Sequence, residues 1–197
     1  MRGLFSNSLA ALLVTLAVAQ GQEAGWAARL VETALAQTKE TVRYDPAYVR
    51  IPYPNGDVPE DTGVCTDVVI RAYRKAFQLD LQKMVHEDMK ANFSKYPKNW
   101  GLSRTDTNID HRRVPNLQTF FKRKGASLPV TDKPEDYQPG DLITCTVAGR
   151  LPHIAIVVPP PDGGKVPWIV HNIGQGPKRE NRLFEFPLTG HYRFPGR

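Results

Sequence analysis

The sequence predicts an α+β fold, with N-terminal helices packed on a C-terminal antiparallel β-sheet. Three observations carry that expectation. Before Gly125, apolar residues recur mainly at helical spacing. Beyond Gly125 they fall into short β-rich runs cut by Gly and Pro. The 197 residues are 41% hydrophobic, which supplies one core, and neither half is large enough to bury a good core alone.

The elements follow in order. Met1 to Gln22 reads MRGLFSNSLAALLVTLAVAQGQ, with one early positive charge, an apolar run and a small-x-small site at Ala17-Val18-Ala19. That is the pattern of a secretory signal peptide over residues 1–19, with the mature chain starting near Gln20. The apolar run is shorter than the roughly 20 residues a bilayer span needs. A helix is expected from Glu23 to about Thr41, ended by Asp45-Pro46, and a Pro/Gly/Asp-rich loop from Ile51 to Gly63. In VCTDVVIRAYRKAF, Cys65, Val68, Val69, Ala72, Tyr73 and Ala76 share one helix face, with Asp61 and Thr62 as candidate caps. A shorter helix covers Leu81 to about Ser94, and Pro115 opens another that Gly125 closes. The strands are expected in YQPGDLITCTV, PHIAIVV, PWIVHNIG and NRLFEFPL.

Composition excludes several classes. The balance of 26 Lys+Arg against 20 Asp+Glu, net +6, suits an anionic partner without specifying one. Two cysteines exclude a disulfide-dense scaffold and a four-Cys zinc site. No HExxH, paired CxxC or phosphate-binding Gly loop is present, so neither a metal nor another cofactor is expected. No basic stripe carries interleaved aromatics, and with export expected this argues against nucleic acid as a partner.

The chemistry-bearing candidates centre on Cys65, which opens a predicted helix. First-turn N–H groups and the helix dipole favour thiolate there, so a depressed thiol pKa is expected. His153, at the mouth of the strand PHIAIVV, is the candidate base. It shares a face with Ala155 and Val157, opposite Ile154, Ile156 and Val158. If that strand pairs with WIVHNIG, either His171 or Asn172 can orient the His153 ring. Cys145 is expected to fill core rather than to bridge Cys65. Arg112 and Arg113, at a loop-to-helix junction, are candidates for holding a substrate carboxylate.

Cys65 at a helix start, Pro139-Gly140-Asp141-Leu142, His153-Ile154-Ala155-Ile156 and a polar residue on the next strand resemble the papain-like NlpC-type superfamily of bacterial cell-wall hydrolases. The chain from Ala24 onward resembles more closely the YijF-like family of exported bacterial proteins of undefined function. The segments DTGVCTDVVIRAYR, IDHRRVPNLQTFF, HIAIVV and VHNIGQG carry that likeness. The NlpC-type resemblance implies a single papain-like domain over 20–197 with catalytic Cys65, His153 and His171 or Asn172. It also implies that Tyr53 helps form the oxyanion site. Asp67 stands where the superfamily motif usually has Gly, and so bears on substrate approach. The implied activity is cleavage of an amide bond in peptidoglycan stem peptides by a periplasmic or secreted monomer, with peptidoglycan or muropeptides as partner and no stable membrane insertion. Two other expectations remain open: a non-catalytic wall-binding module with the same fold, and a secreted antibacterial effector with the same chemistry.

Overall fold

The computed structural model describes residues 25–195; the signal-peptide expectation lies outside them. A helix (α1) runs through 25–37 and buries Leu30, Val31 and Ala34. Its Trp26 ring stacks on Phe77 at 5.3 Å. The long loop that follows carries two short strands, β1 (Arg43–Tyr44) and β2 (Thr62–Gly63). They pair in parallel and so bring both ends of the loop together. Two-residue strands carry no alternation, so periodicity could not reveal them.

Helix α2 (Cys65–Phe77) buries Cys65, Val68, Val69, Ala72 and Tyr73, the face that the spacing predicts. Its cap differs from the expectation. Thr62 lies in β2, and Asp61 only accepts from the Arg43 backbone N–H in a loop. Asp67 in the first turn reaches back instead, accepting from the Val64 N–H at 2.7 Å. Helix α3 (Leu81–Ala91) is capped by Asp80, which accepts from the Gln82 N–H at 3.0 Å. A 3₁₀ turn at Asp110–Arg112 leads into α4 (Val114–Arg123). Pro115 lies in the first turn of α4, and Leu117, Phe120 and Phe121 point inward. Gly125 ends it at φ +71°, a left-handed conformation that glycine adopts without strain.

The strands are β3 (Ser127–Leu128), β4 (Leu142–Val147), β5 (Leu151–Val158), β6 (Trp168–His171), β7 (Lys178–Glu180) and β8 (Leu188–Tyr192). They form one antiparallel sheet in the order β3-β8-β4-β5-β6-β7. Of the expected strand NRLFEFPL only Leu188 is in a strand, opening β8, and residues 181–187 are a turn between β7 and β8. Pro187 has no N–H to donate to a ladder, although its carbonyl accepts from Thr146, and an Arg182–Glu185 pair at 3.1 Å spans the turn.

The alternation in β5 separates two cores. Ile154, Ile156 and Val158 join Leu142, Val170 and the helices in the larger one. Ala155 and Val157 join Ile143, Cys145, Ile169, Tyr137 and Leu183 in the smaller one. The larger core draws on residues from both sides of Gly125, so the two halves share it. Among the described residues, no helix is long and apolar enough to cross a membrane.

Candidate active site

Cys65 is the first residue of α2, and four ties hold the chain around it. Asp67 accepts from the Val64 N–H. It also receives Arg112 as a bidentate fork, Nε to Oδ1 and Nη2 to Oδ2, both at 2.9 Å, with both side chains 2% exposed. Thr66 Oγ1 donates to the Arg112 carbonyl at 3.2 Å. From the sheet side, Asn172 Nδ2 donates to the Gly63 carbonyl at 3.1 Å. Asp67 and Arg112 were expected to meet substrate. They are committed to each other and set the position of the α2 start, a correction that follows from their burial, although Arg112 also borders the cleft beside Cys65.

His153 lies on β5 and His171 on β6, and these strands pair with Ile156 opposite Val170. Extending that register puts Ala155 opposite His171, with His153 diagonal to it on the same face. The rings meet through His153 Nε2 and His171 Nδ1 at 2.8 Å. His171 Nε2 meets Glu180 Oε2 at 2.7 Å. Glu180 is on β7 opposite Ile169, again one diagonal step away on that face. Asn172 points to the other face, at the Gly63 loop, so of the two candidates His171 is the one that contacts His153. Glu180 was not foreseen: Lys178–Glu180 is three polar residues with no alternation, and its sequence carries no signal for it.

A cleft of about 220 Å³ opens at Cys65, and Tyr44, Trp100, Arg113 and Pro152 are among its walls. Arg113 lies over the Trp100 ring at 4.1 Å, and its Nη1 pairs with the Asp110 carboxylate at 3.8 Å. Tyr53 is elsewhere. It packs edge-on against His86 at 5.0 Å and is absent from the cleft wall, so the expected oxyanion role does not fit its position. Tyr44, brought in by the β1–β2 pairing, is the tyrosine beside Cys65. Residues 31–194 match a family described as "Domain of unknown function (DUF1287)".

The chain belongs to the DUF1287 family. It is 48% identical over 165 residues to the "Uncharacterized protein YijF" of Escherichia coli (strain K12), covering 84% of this chain and 80% of that one. The DUF1287 match spans Cys65, His153, His171 and Glu180 alike.

The electrostatics of this DUF1287 site run against one expectation. Burial pushes the Cys65 thiol up to about 12, and the Asp67 and Cys145 side chains add to the rise. The Ile154 and Thr66 backbone N–H groups oppose it and are outweighed. A helix start supplies roughly 1 kcal/mol to an anion, less than the cost of desolvating one. The thiol is therefore neutral at rest rather than a thiolate. Burial, with His171 second, lowers His153 to about 3. Burial also lowers His171, partly offset by Glu180. Among the described residues Cys65 makes no hydrogen bond to either imidazole; its sulfur sits at the Ile154 N–H, one residue along β5 from His153. Both cysteines are free, and Cys145 packs in the smaller core. A buried thiol, two bonded neutral imidazoles and a carboxylate can together move a proton off sulfur when a carbonyl enters the cleft.

Proposed function

We propose that this DUF1287 protein is a cysteine-dependent hydrolase of the papain-like NlpC type that cleaves an amide bond in peptidoglycan stem peptides, in the periplasm or outside the cell. The observation that carries the reading is a cysteine on the first turn of a helix, at a cleft, beside the strand that bears a bonded His–His pair. Cys65 sulfur adds to the amide carbonyl as its proton passes to His153, and the carbonyl π electrons move to oxygen. First-turn N–H groups of α2 receive that oxygen, as helix starts receive anions. On collapse the C–N bond breaks, the amine leaves with the proton from the imidazole, and water then releases the acid from sulfur. Arg113, which lines the cleft, is the cation nearest to hand for a substrate carboxylate.

Incubating the mature chain with muropeptides and reading the products by mass spectrometry tests this. The expected result is a new amine–acid product pair that disappears in Cys65→Ala. Unchanged muropeptides with the wild-type chain overturn the activity. The neutral resting thiol favours a second reading, a wall-binding module that keeps the fold without catalysis. That reading expects Cys65→Ala to sediment with purified cell walls as the wild type does, with no cleavage by either. An antibacterial effector would use the same chemistry and differ only in destination.

A further inference from the structure

We propose that Glu180 is the terminal positioning residue of the site: its carboxylate sets the tautomers of His171 and His153 in turn and takes the charge of the proton withdrawn from Cys65. This rests on the hydrolase reading and adds a residue and a proton path to it.

The argument starts at the carboxylate. A carboxylate only accepts, so the 2.7 Å contact requires a proton on His171 Nε2. A neutral imidazole carries one proton, so His171 Nδ1 is bare and accepts. The 2.8 Å contact then requires His153 Nε2 to donate, which leaves His153 Nδ1 as the unprotonated nitrogen. Among the described residues His153 Nδ1 has no hydrogen-bond partner. One carboxylate, acting through two rings, thus decides which atom is the base. Without it, either tautomer of His171 satisfies His153, and half of those arrangements place the proton on the wrong nitrogen.

The same geometry decides where charge goes. When the thiol proton reaches His153 Nδ1, the Nε2 proton of His153 can pass to His171 Nδ1. His153 is again neutral, and the imidazolium is His171, in direct contact with Glu180. Among the described residues His153 touches no carboxylate of its own, and its burial opposes a charge there. The charged groups that face the relay are Glu180 itself, Arg182 at 3.6 Å from Glu180 Oε1, and Glu185, which pairs with Arg182 at 3.1 Å. Arg182 pairs with the second carboxylate oxygen at ion-pair rather than hydrogen-bond distance, beside a strand only three residues long. Reversal of the two transfers returns the proton to the leaving amine.

Nitrogen-15 NMR of the histidine rings, on the mature chain near pH 7, reads the tautomers directly and needs no substrate. The expected wild-type pattern is a proton on Nε2 and none on Nδ1 for both His153 and His171. Glu180→Gln can still accept through its amide oxygen and keeps that pattern. Glu180→Ala mixes the tautomers of His171. Iodoacetamide modification of Cys65, followed against pH, gives the second readout. Both variants are expected to slow it by about tenfold or more at neutral pH, because the charge is lost in each, and Glu180→Asp restores part of the rate. A bare His171 Nε2 in the wild type, or Glu180→Ala with unchanged tautomers and an unchanged rate profile, overturns the proposal. Those results leave Cys65-dependent muropeptide cleavage untouched. The expected tautomers in a chain that cleaves no muropeptide support the relay and overturn the hydrolase reading.

Discussion

Cys65 and Cys145 are both buried and both free, yet Cys65 belongs to the larger core and Cys145 to the smaller one. Their replacements are therefore expected to behave oppositely. Cys65→Ser puts a weak nucleophile at the α2 start, so muropeptide turnover should drop by on the order of 10³ or more with the fold intact. Cys145→Ser places a hydroxyl in the smaller core and is expected to cost about 1–3 kcal/mol in urea unfolding while turnover holds. The buried titrating groups add a pH dependence with a definite sign. His153 and His111 are lowered by burial to about 3 and about 4, below the reference of 6.5. The unfolded chain binds their protons first, so stability is full above that reference and is lost as pH falls toward the folded values. Cys65 acts on the other side. Its folded value, about 12, lies above the reference of 9.0, so stability is lost as pH rises beyond 9.0. Urea midpoints should fall from pH 7 to pH 4.5, and His153→Asn should remove part of that slope. A flat profile across this range would contradict the burial that sets these shifts.

At the scale of elements, the start of α2 depends on a residue 45 positions away. Arg112 closes the carboxylate of Asp67 inside the protein. Arg112→Ala leaves a buried unpaired charge and is expected to cost about 3–5 kcal/mol, and Arg112→Lys should not restore it because an ammonium lacks the fork. Its neighbour Arg113 differs, being stacked on a half-exposed Trp100 and paired with Asp110 only at 3.8 Å. Arg113→Ala should cost about 1–3 kcal/mol because Asp110 loses its cation, less than Arg112→Ala, and should raise KM for acidic muropeptides. A matching loss of stability for both variants would show that the two arginines do the same work.

For the molecule as a whole, the sheet is the partition. Helices cover one face, and Tyr137, Leu183 and Phe186 cover the other. Ile156 belongs to the larger core and is fully buried, so Ile156→Ala should cost about 2–5 kcal/mol with a loss of the whole cooperative transition. Tyr73 ties α2 to the segment after β8, since its hydroxyl donates to the Phe194 carbonyl and its ring meets that of Phe194 at 6.0 Å. Tyr73→Phe should lose about 1 kcal/mol, read as a small drop in Tm. Unchanged thermal unfolding would mean that this bond contributes nothing net.

Local pattern carried much of the architecture. Apolar spacing in α2 and α4 and alternation in β5 recur over 13, 10 and 8 residues, and burial of one face follows from them wherever the chain goes. The placement of Cys65 at a helix start, and the sharing of one face by His153, Ala155 and Val157, were legible for that reason. The identity of its partners was not. Whether His171 or Asn172 meets His153 depends on which face β6 turns toward it, and strand pairing is settled by contacts between distant residues. Tyr44 enters the cleft through a two-residue parallel pairing, and Tyr53, though nearer in sequence, does not. Glu180 joins the histidines only because β7 docks beside β6. The neutrality of Cys65 has the same origin: the helix start is a local property that favours thiolate, whereas desolvation is imposed by everything packed around it, and the packing prevails.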